Sequence, residues 1–294
     1  MLSAETPFDW AGVEVAVPRS MGGPPGISMA GFRHRDSGRV DITMVAHPSV
    51  TLLIDLTDGE GITHDGPGRR ERGSVVVGLL PGDLRTTGQG TGECLQIRLE
   101  PDAAAALLGA SAELTGTLAA LADIWGRDAG RAEDRLRAAT SWDERFAIAA
   151  DILGRRLGDH RPVDPEVAHT WRRTLTSRGR VRVDRLADEV GWSRKRLWSR
   201  FRSQLGITPK HAARLVRFDH AAHLLAAGHA TAGVAAHSGY ADQSHLHREV
   251  KTFTGLTPTA VASAPWLAID DVAWPASSPT RKRSKDGEHI AAPR

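Results

Sequence analysis

The chain has 294 residues, a single cysteine and a formal net charge of +3. One cysteine excludes an intramolecular disulfide framework, no apolar stretch reaches the length of a membrane-spanning helix, and the N-terminus lacks the basic-then-apolar order of a secretory leader. The small net charge conceals a split, because residues 1–170 carry 17 Lys plus Arg against 25 Asp plus Glu, whereas residues 171–254 carry 16 against 6.

The first hundred residues read as β-rich. Short β-branched runs at 13–17, 41–46, 50–56, 74–80 and 93–99 alternate with Gly- and Pro-containing turn clusters at 21–26, 58–61 and 81–83. That rhythm predicts a small antiparallel barrel or sandwich. Cys94 opens an apolar run and is expected to be a buried strand thiol, with a redox sensor as the alternative.

From Pro101 the spacing becomes helical, at 102–108, 114–125, 129–138 and 142–157. Leu118, Leu121 and Trp125 fall on one apolar stripe, which packs either on the protein's own barrel or on a second subunit of a homodimer. Residues 1–160 are thus expected to form a sensor and dimerisation unit, and the polar, Pro-containing break at 160–165 separates it from a basic unit at 164–264. Residues 265–294, rich in Pro, Ser and charge, are expected to be a disordered tail.

Within the basic unit one pattern occurs twice. Ala187, Gly191, Trp192, Leu197, Phe201, Gly206, Thr208 and Pro209 are answered by Ala235, Gly239, Tyr240, Leu246, Val250, Gly255, Thr257 and Pro258. Each copy predicts a short helix (185–190; 231–237), a Gly-aromatic turn, and a second helix (193–205; 243–254) closed by Gly. Two such copies make two helix-turn-helix motifs. The pairs Leu197/Phe201 and Leu246/Val250, four residues apart, put an apolar stripe of each second helix onto its first helix. The opposite faces are left free. In the first copy that face holds Arg194, Lys195, Trp198, Ser199 and Arg202; in the second, Gln243, Ser244, His247, Arg248 and Lys251. Cations and hydrogen-bond donors so arranged suit the phosphates and base edges of double-stranded DNA, and the local excess of positive charge supplies the counterion-release driving force. His245 and His247, two residues apart on a helix, point away from each other and make no metal pair.

The run from Val183 to Ala187 through Gly206-Ile207-Thr208-Pro209, followed by Gly239-Tyr240-Ala241-Asp242-Gln243-Ser244-His245-Leu246 through Gly255-Leu256-Thr257-Pro258, resembles the DNA-binding domain of the AraC/XylS family of bacterial transcription regulators. The resemblance covers about the last third of the chain. Leu246 and Val250 stand where that family often has an aromatic residue. It implies an α+β architecture: an N-terminal β-rich, cupin-like barrel with trailing helices, then an all-α unit whose two helix-turn-helix motifs are joined by a linker helix at about 209–227. Carried over by position, Lys195, Trp198 and Ser199 would face bases with Arg194 and Arg196 flanking, and Gln243, Ser244, His247 and Arg248 would do so in the second copy. Arg248 has the strongest physical case, since a guanidinium fits guanine O6 and N7 in a fork. The segments 95–108 and 121–126 resemble the sensor part of some members.

The resemblance further implies a cytoplasmic, nucleoid-bound regulator that contacts or occludes RNA polymerase, under a possible small-molecule effector of unknown identity. The alternative is an effector-independent or architectural DNA binder. A cupin-type metal enzyme is disfavoured because His34, His47 and His64 stand isolated rather than in a close His-x-His pair. No phosphate loop, nucleophile elbow or Cys-x-x-Cys pair is present, so no cofactor and no catalytic residue is expected.

Overall fold

The computed structural model describes residues 12–19, 25–35, 39–58, 61–66, 68–79, 84–89, 91–109, 111–263, 270, 273 and 274. The turn residues expected at 21–24, 59–60 and 81–83 lie outside them. Among the described residues, ten strands form two antiparallel sheets. The larger has the order β1 (Val13–Ala16), β2 (Ile27–His34), β9 (Gly92–Leu99), β4 (Val50–Asp55), β7 (Val75–Val77), β10 (Leu118–Ala120); the smaller has β3 (Arg39–Met44), β8 (Leu84–Gln89), β5 (Thr63–Gly66), β6 (Arg69–Arg72).

The period-two alternation of a strand assigns the two faces of the larger sheet. In β9, Leu95, Ile97 and Leu99 are buried in one apolar cluster with Leu107, Trp142 and Phe146 of the helices that follow. Cys94, Gln96 and Arg98 take the other face and line a cavity between the sheets. In β2, Gly31 lies so close beneath Trp142 that a Cβ would stand 2.3 Å from its ring, so the helical layer seats directly on strand backbone.

The helices α1 (Pro101–Leu108), α3 (Arg127–Ala138) and α4 (Trp142–Arg156) stand where the spacing predicts them. The segment 114–125 does not. It is the end of a 3₁₀ turn (Ser111–Leu114), then β10, then a short helix α2 (Leu121–Trp125). The strand wins over Leu/Ala helix propensity because β7 offers an open edge, against which Leu118 pairs with Val77 and Ala120 with Val75. Leu118, Leu121 and Trp125 are 1%, 1% and 5% exposed. Leu118 packs beside Val77 and Leu84, and Leu121 and Trp125 pack in the larger cluster with Leu107 and Leu136, so the three offer a second subunit no apolar patch.

The C-terminal part is all-α, with α5 (Pro165–Thr176), α6 (Val183–Glu189), α7 (Arg194–Leu205), α8 (Pro209–Ala226), α9 (Thr231–His237), α10 (Gln243–Thr254) and α11 (Pro258–Ala262). The two parts share one apolar cluster that runs from Met29 through Leu107 and Leu205 to Val261. Their junction is tight at Gly206, where a Cβ would lie 2.1 Å from Thr115 Oγ1 and 2.4 Å from the Ala112 carbonyl oxygen. Thr115 Oγ1 also donates to the Leu205 carbonyl at 3.4 Å.

The tail reading needs correction at three positions. Asp270, Ala273 and Trp274 are fixed against the β unit, with Ala273 and Trp274 buried beside Ala30 and Phe32. Composition missed them because a single Asp and a single Trp, whose partners lie far off in sequence, leave no periodic signal. No helix of the described residues is long and apolar enough to cross a membrane.

Candidate nucleic-acid interface and interior cavity

Both copies of the repeated pattern fold alike. The turn glycines Gly191 and Gly239 have φ of +66° and +74°, the left-handed region that a residue with a Cβ enters at a cost. The aromatic amide after each closes the turn onto the first helix, Trp192 N–H to the Ala187 carbonyl at 3.0 Å and Tyr240 N–H to the Ala235 carbonyl at 2.9 Å. Each reading helix then has a side-chain cap. Ser193 Oγ accepts from the Arg196 amide at 3.2 Å, and Asp242 Oδ1 accepts from the His245 amide at 2.7 Å.

The inner stripes are buried as the i, i+4 spacing requires: Leu197 and Phe201 in the first unit, Leu246 and Val250 in the second. The smaller Leu/Val pair of the second unit is supplemented by Phe253, which stacks on Phe218 of α8 at 4.9 Å between centroids. All eleven residues of the expected DNA-facing set, Arg194, Lys195, Arg196, Trp198, Ser199, Arg202, Gln243, Ser244, His247, Arg248 and Lys251, are exposed. Trp198 is 46% exposed, a large apolar ring left in water beside cations.

The structure also sorts these cations. Arg194 is held by Asp184 at 3.0 Å; Arg196 lies over the Trp192 ring at 4.5 Å and Arg202 over the Trp198 ring at 5.2 Å. Lys195, Arg248 and Lys251 have no ion-pair partner among the described residues. A second arginine set, absent from the expected list, builds the frame. Arg173 forks onto Glu189 at 2.9 and 3.0 Å, joining α5 to α6, and Arg200 forks onto Asp164 at 2.8 and 2.9 Å. Glu189 is drawn down to about 2 by hydrogen bonds from Arg173 and then His169.

The arrangement decides what the C-terminal part is. A helix-turn-helix family model matches residues 186–264. The chain carries a helix-turn-helix domain over these residues. No curated protein matches the chain. Among solved structures, ToxT from Vibrio cholerae O395 is 11% identical at a TM-score of 0.46, covering 84% of this chain and 98% of that one. The C-terminal domain of AraT, a response regulator from Geobacillus stearothermophilus, is 21% identical at a TM-score of 0.32, covering 34% of this chain and 85% of that one. The xylose-binding transcription activator XylR is 19% identical at 0.31, covering 41% of this chain and 39% of that one.

The second site is a cavity of about 200 Å³ in the β unit, between the two sheets and α8 of the domain just described. Much of its wall is apolar, including Phe32, Ile42, Met44, Leu53 and Phe218. His34, His47 and His64, isolated in sequence, all line it. His64 sits 3.0 Å from Thr86 Oγ1, and burial lowers it to about 4, so it is neutral at pH 7. Burial, and then Arg98, also lower His47 well below the usual value. Cys94 lines the cavity too; burial pushes its thiol far up, which removes the thiolate a redox sensor needs.

At one end the polar groups gather. Arg98 of β9 meets the Asp270 carboxylate with both terminal nitrogens, NH1 to Oδ2 at 3.1 Å and NH2 to Oδ1, and its guanidinium lies 4.2 Å from the centre of the Trp274 ring. His223 of α8 places Nε2 3.0 Å from Asp270 Oδ2 and Nδ1 2.8 Å from the Asp219 carbonyl. Burial opposes a charge on His223, but Asp219 and Asp270 outweigh it and raise the imidazole to about 9. Burial likewise opposes charge on Asp270, yet Arg98 and His223 hold its carboxyl far below the ordinary range. Sequence reasoning missed Arg98, Asp219, His223 and Asp270. One signal was present, since 94–99 alternates polar and apolar rather than being uniformly apolar.

Proposed function

We propose that the chain is a sequence-specific, DNA-binding transcription regulator of the AraC/XylS type, controlled through its N-terminal unit. The observation that carries this reading is the pair of exposed, capped helices α7 and α10 held by one continuous helix, α8, with unpaired cations on the outer face of each. Lys195, Trp198 and Ser199 would meet bases or groove walls from α7; Gln243, Ser244, His247 and Arg248 would do so from α10; Arg202 and Lys251 would meet phosphates. Residues 164–264 form the DNA-binding unit in this reading, and the cavity is where a small organic effector would act. Output would come from contact with RNA polymerase or its occlusion. No catalytic role is assigned.

Selection of bound duplexes from a randomised pool by the full chain, followed by salt titration on selected and scrambled duplexes, tests this. A regulator enriches one asymmetric sequence spanning two successive major grooves, and binds it at least about 10³-fold tighter than scrambled DNA. Equal affinity for both, with the same steep salt slope, would instead identify an architectural binder that reads phosphates alone.

A further inference from the structure

The loop between α5 and α6, with the first turn of α6, is basic and fixed in shape. From 178 to 185 it carries four arginines, Arg178, Arg180, Arg182 and Arg185, against one acid, Asp184. Arg178, at φ +53°, is the one residue with a Cβ in the left-handed region among the described residues, a strain that persists only where the surroundings impose it. They do so from α8, where His220 Nε2 lies 3.3 Å from Arg178 NH1 and Arg217 NH2 donates to the Gly179 carbonyl at 3.0 Å. Ser177 Oγ also accepts from the Val181 amide at 3.3 Å. The segment touches both helix-turn-helix units. Asp184 accepts from Arg182 at 3.2 Å and from Arg194, the first residue of α7, at 3.0 Å. The Arg180 stem lies against the turn before α10, its Cγ and Cδ 3.3 Å from where a Cβ on Gly239 would stand. Ser177, Arg180, Val181, Arg182 and Arg185 line a groove there. Arg180 and Arg185 are exposed without an ion-pair partner among the described residues, and the terminal nitrogens of Arg180 make no hydrogen bond to them.

We propose that Arg180 enters the minor groove between the two major grooves read by α7 and α10, and that it selects A·T base pairs at the centre of the binding site. The inference rests on the regulator reading above and deepens it, adding a base-pair preference that neither reading helix supplies. Two helices in successive major grooves on one face of a duplex leave one minor groove facing the protein between them. The segment that reaches the N-terminal ends of both helices is this loop. A·T-rich sequence narrows the minor groove and strengthens its negative potential, which draws in an arginine. A guanidinium has donors only, so it suits the adenine N3 and thymine O2 acceptors and is opposed by the guanine N2 amino group of a G·C pair. Arg180 is the arginine free to do this, because Arg178 is engaged by His220 and Arg182 by Asp184. Arg185, exposed in the first turn of α6, is placed for a flanking phosphate.

The test is competition binding of the full chain to the duplex selected from the randomised pool, with only the base pairs midway between the two half-sites changed to A·T, G·C or inosine·C. Inosine lacks the N2 amino group, so its pair with cytosine resembles A·T in the minor groove and G·C in the major groove. The A·T and inosine duplexes should bind about tenfold tighter than the G·C duplex. Arg180→Ala should bring that ratio below about twofold and leave discrimination at the base pairs under α7 and α10 intact. Arg185→Ala should weaken all three duplexes alike. The wild-type comparison needs no variant, so it decides even if Arg180→Ala perturbs the Gly239 turn. Equal binding of the A·T and G·C duplexes, inosine behaving as guanine, or a preference retained in Arg180→Ala would overturn the proposal. Each of these leaves the regulator reading standing, since the selected duplex is still preferred over scrambled DNA. Enrichment of no sequence at all would remove both.

Discussion

The Arg214 guanidinium on α8 forks onto the Glu249 carboxylate on α10, with Nε and NH2 at 2.8 and 2.9 Å from its two oxygens. The two ends differ in burial: the Glu249 side chain is 6% exposed and that of Arg214 36%. The pair fixes the second reading helix to the linker helix, and the difference in burial sets which partner can be removed.

Arg214→Met should therefore cost more than Glu249→Met. The first strands a buried carboxylate, at about 2–4 kcal/mol, whereas the second leaves an arginine that rehydrates, at about 1 kcal/mol. The double variant should be more stable than Arg214→Met alone. Urea denaturation of the four proteins measures the order, and equal losses from both single variants would show that burial does not decide it.

On the DNA face, Arg248→Ala should cost about 1–3 kcal/mol on the preferred duplex and relax preference at one or two base pairs. Arg202→Ala should weaken all sequences alike and lower the salt slope by about one, because a cation stacked over Trp198 at the surface is placed for phosphate. Competition binding against single-base-pair variants separates the two. Sequence-independent loss from Arg248→Ala would take it out of base readout.

Two left-handed glycines differ in their surroundings. Gly191, at φ +66°, has open space where a Cβ would stand, so Gly191→Ala should cost about 1–2 kcal/mol, from backbone strain alone. Gly206, at φ +75°, also meets Thr115 and the Ala112 carbonyl, so Gly206→Ala should cost clearly more and loosen the junction between the β unit and α7. Thermal melts rank the two, and limited proteolysis reports the junction. Equal melting temperatures would mean that the close approach carries no energy.

The His223 network gives a pH dependence. Its imidazole titrates at about 9 when folded and near 6.5 when unfolded, so its stabilisation is complete below about pH 6.5 and lost as pH rises through about 9. Asp219, raised to about 6 by burial, works in the same direction at lower pH, where stability falls between about 3.8 and 6. The melting temperature should fall between pH 6.5 and 9 in the wild type and fall less in His223→Gln. Parallel curves for the two proteins would remove His223 from the linkage.

The doubled helix-turn-helix was legible in the sequence because everything that specifies it is local. A turn glycine, a cap residue such as Ser193 or Asp242 and an apolar pair four residues apart all act within about a dozen positions, and the second copy repeats the first. The outward faces followed as what the inner stripes leave over, with Glu249 an exception that is buried against Arg214. Five strands also showed themselves through β-branched runs. The others did not: β2 carries Met, Ala and Gly because Trp142 lies on its backbone, and the β5–β6 hairpin, THDG against RRER, is polar on both faces.

What only the tertiary structure decided depends on partners far apart in sequence. Leu118 and Ala120 became strand because β7 presented an edge about forty residues earlier, and Leu118, Leu121 and Trp125 became core because the sheets and the helical layer were there to meet them. The cavity exists because alternation along β9 points Cys94, Gln96 and Arg98 away from the helical layer, towards a second sheet and α8. Asp270 is held by Arg98 across 172 residues and by His223, and Trp274 lies against the same guanidinium. A contact of that kind leaves no period or motif in the chain, because its free energy comes from desolvated charge meeting matched geometry, which exists only once the chain has folded.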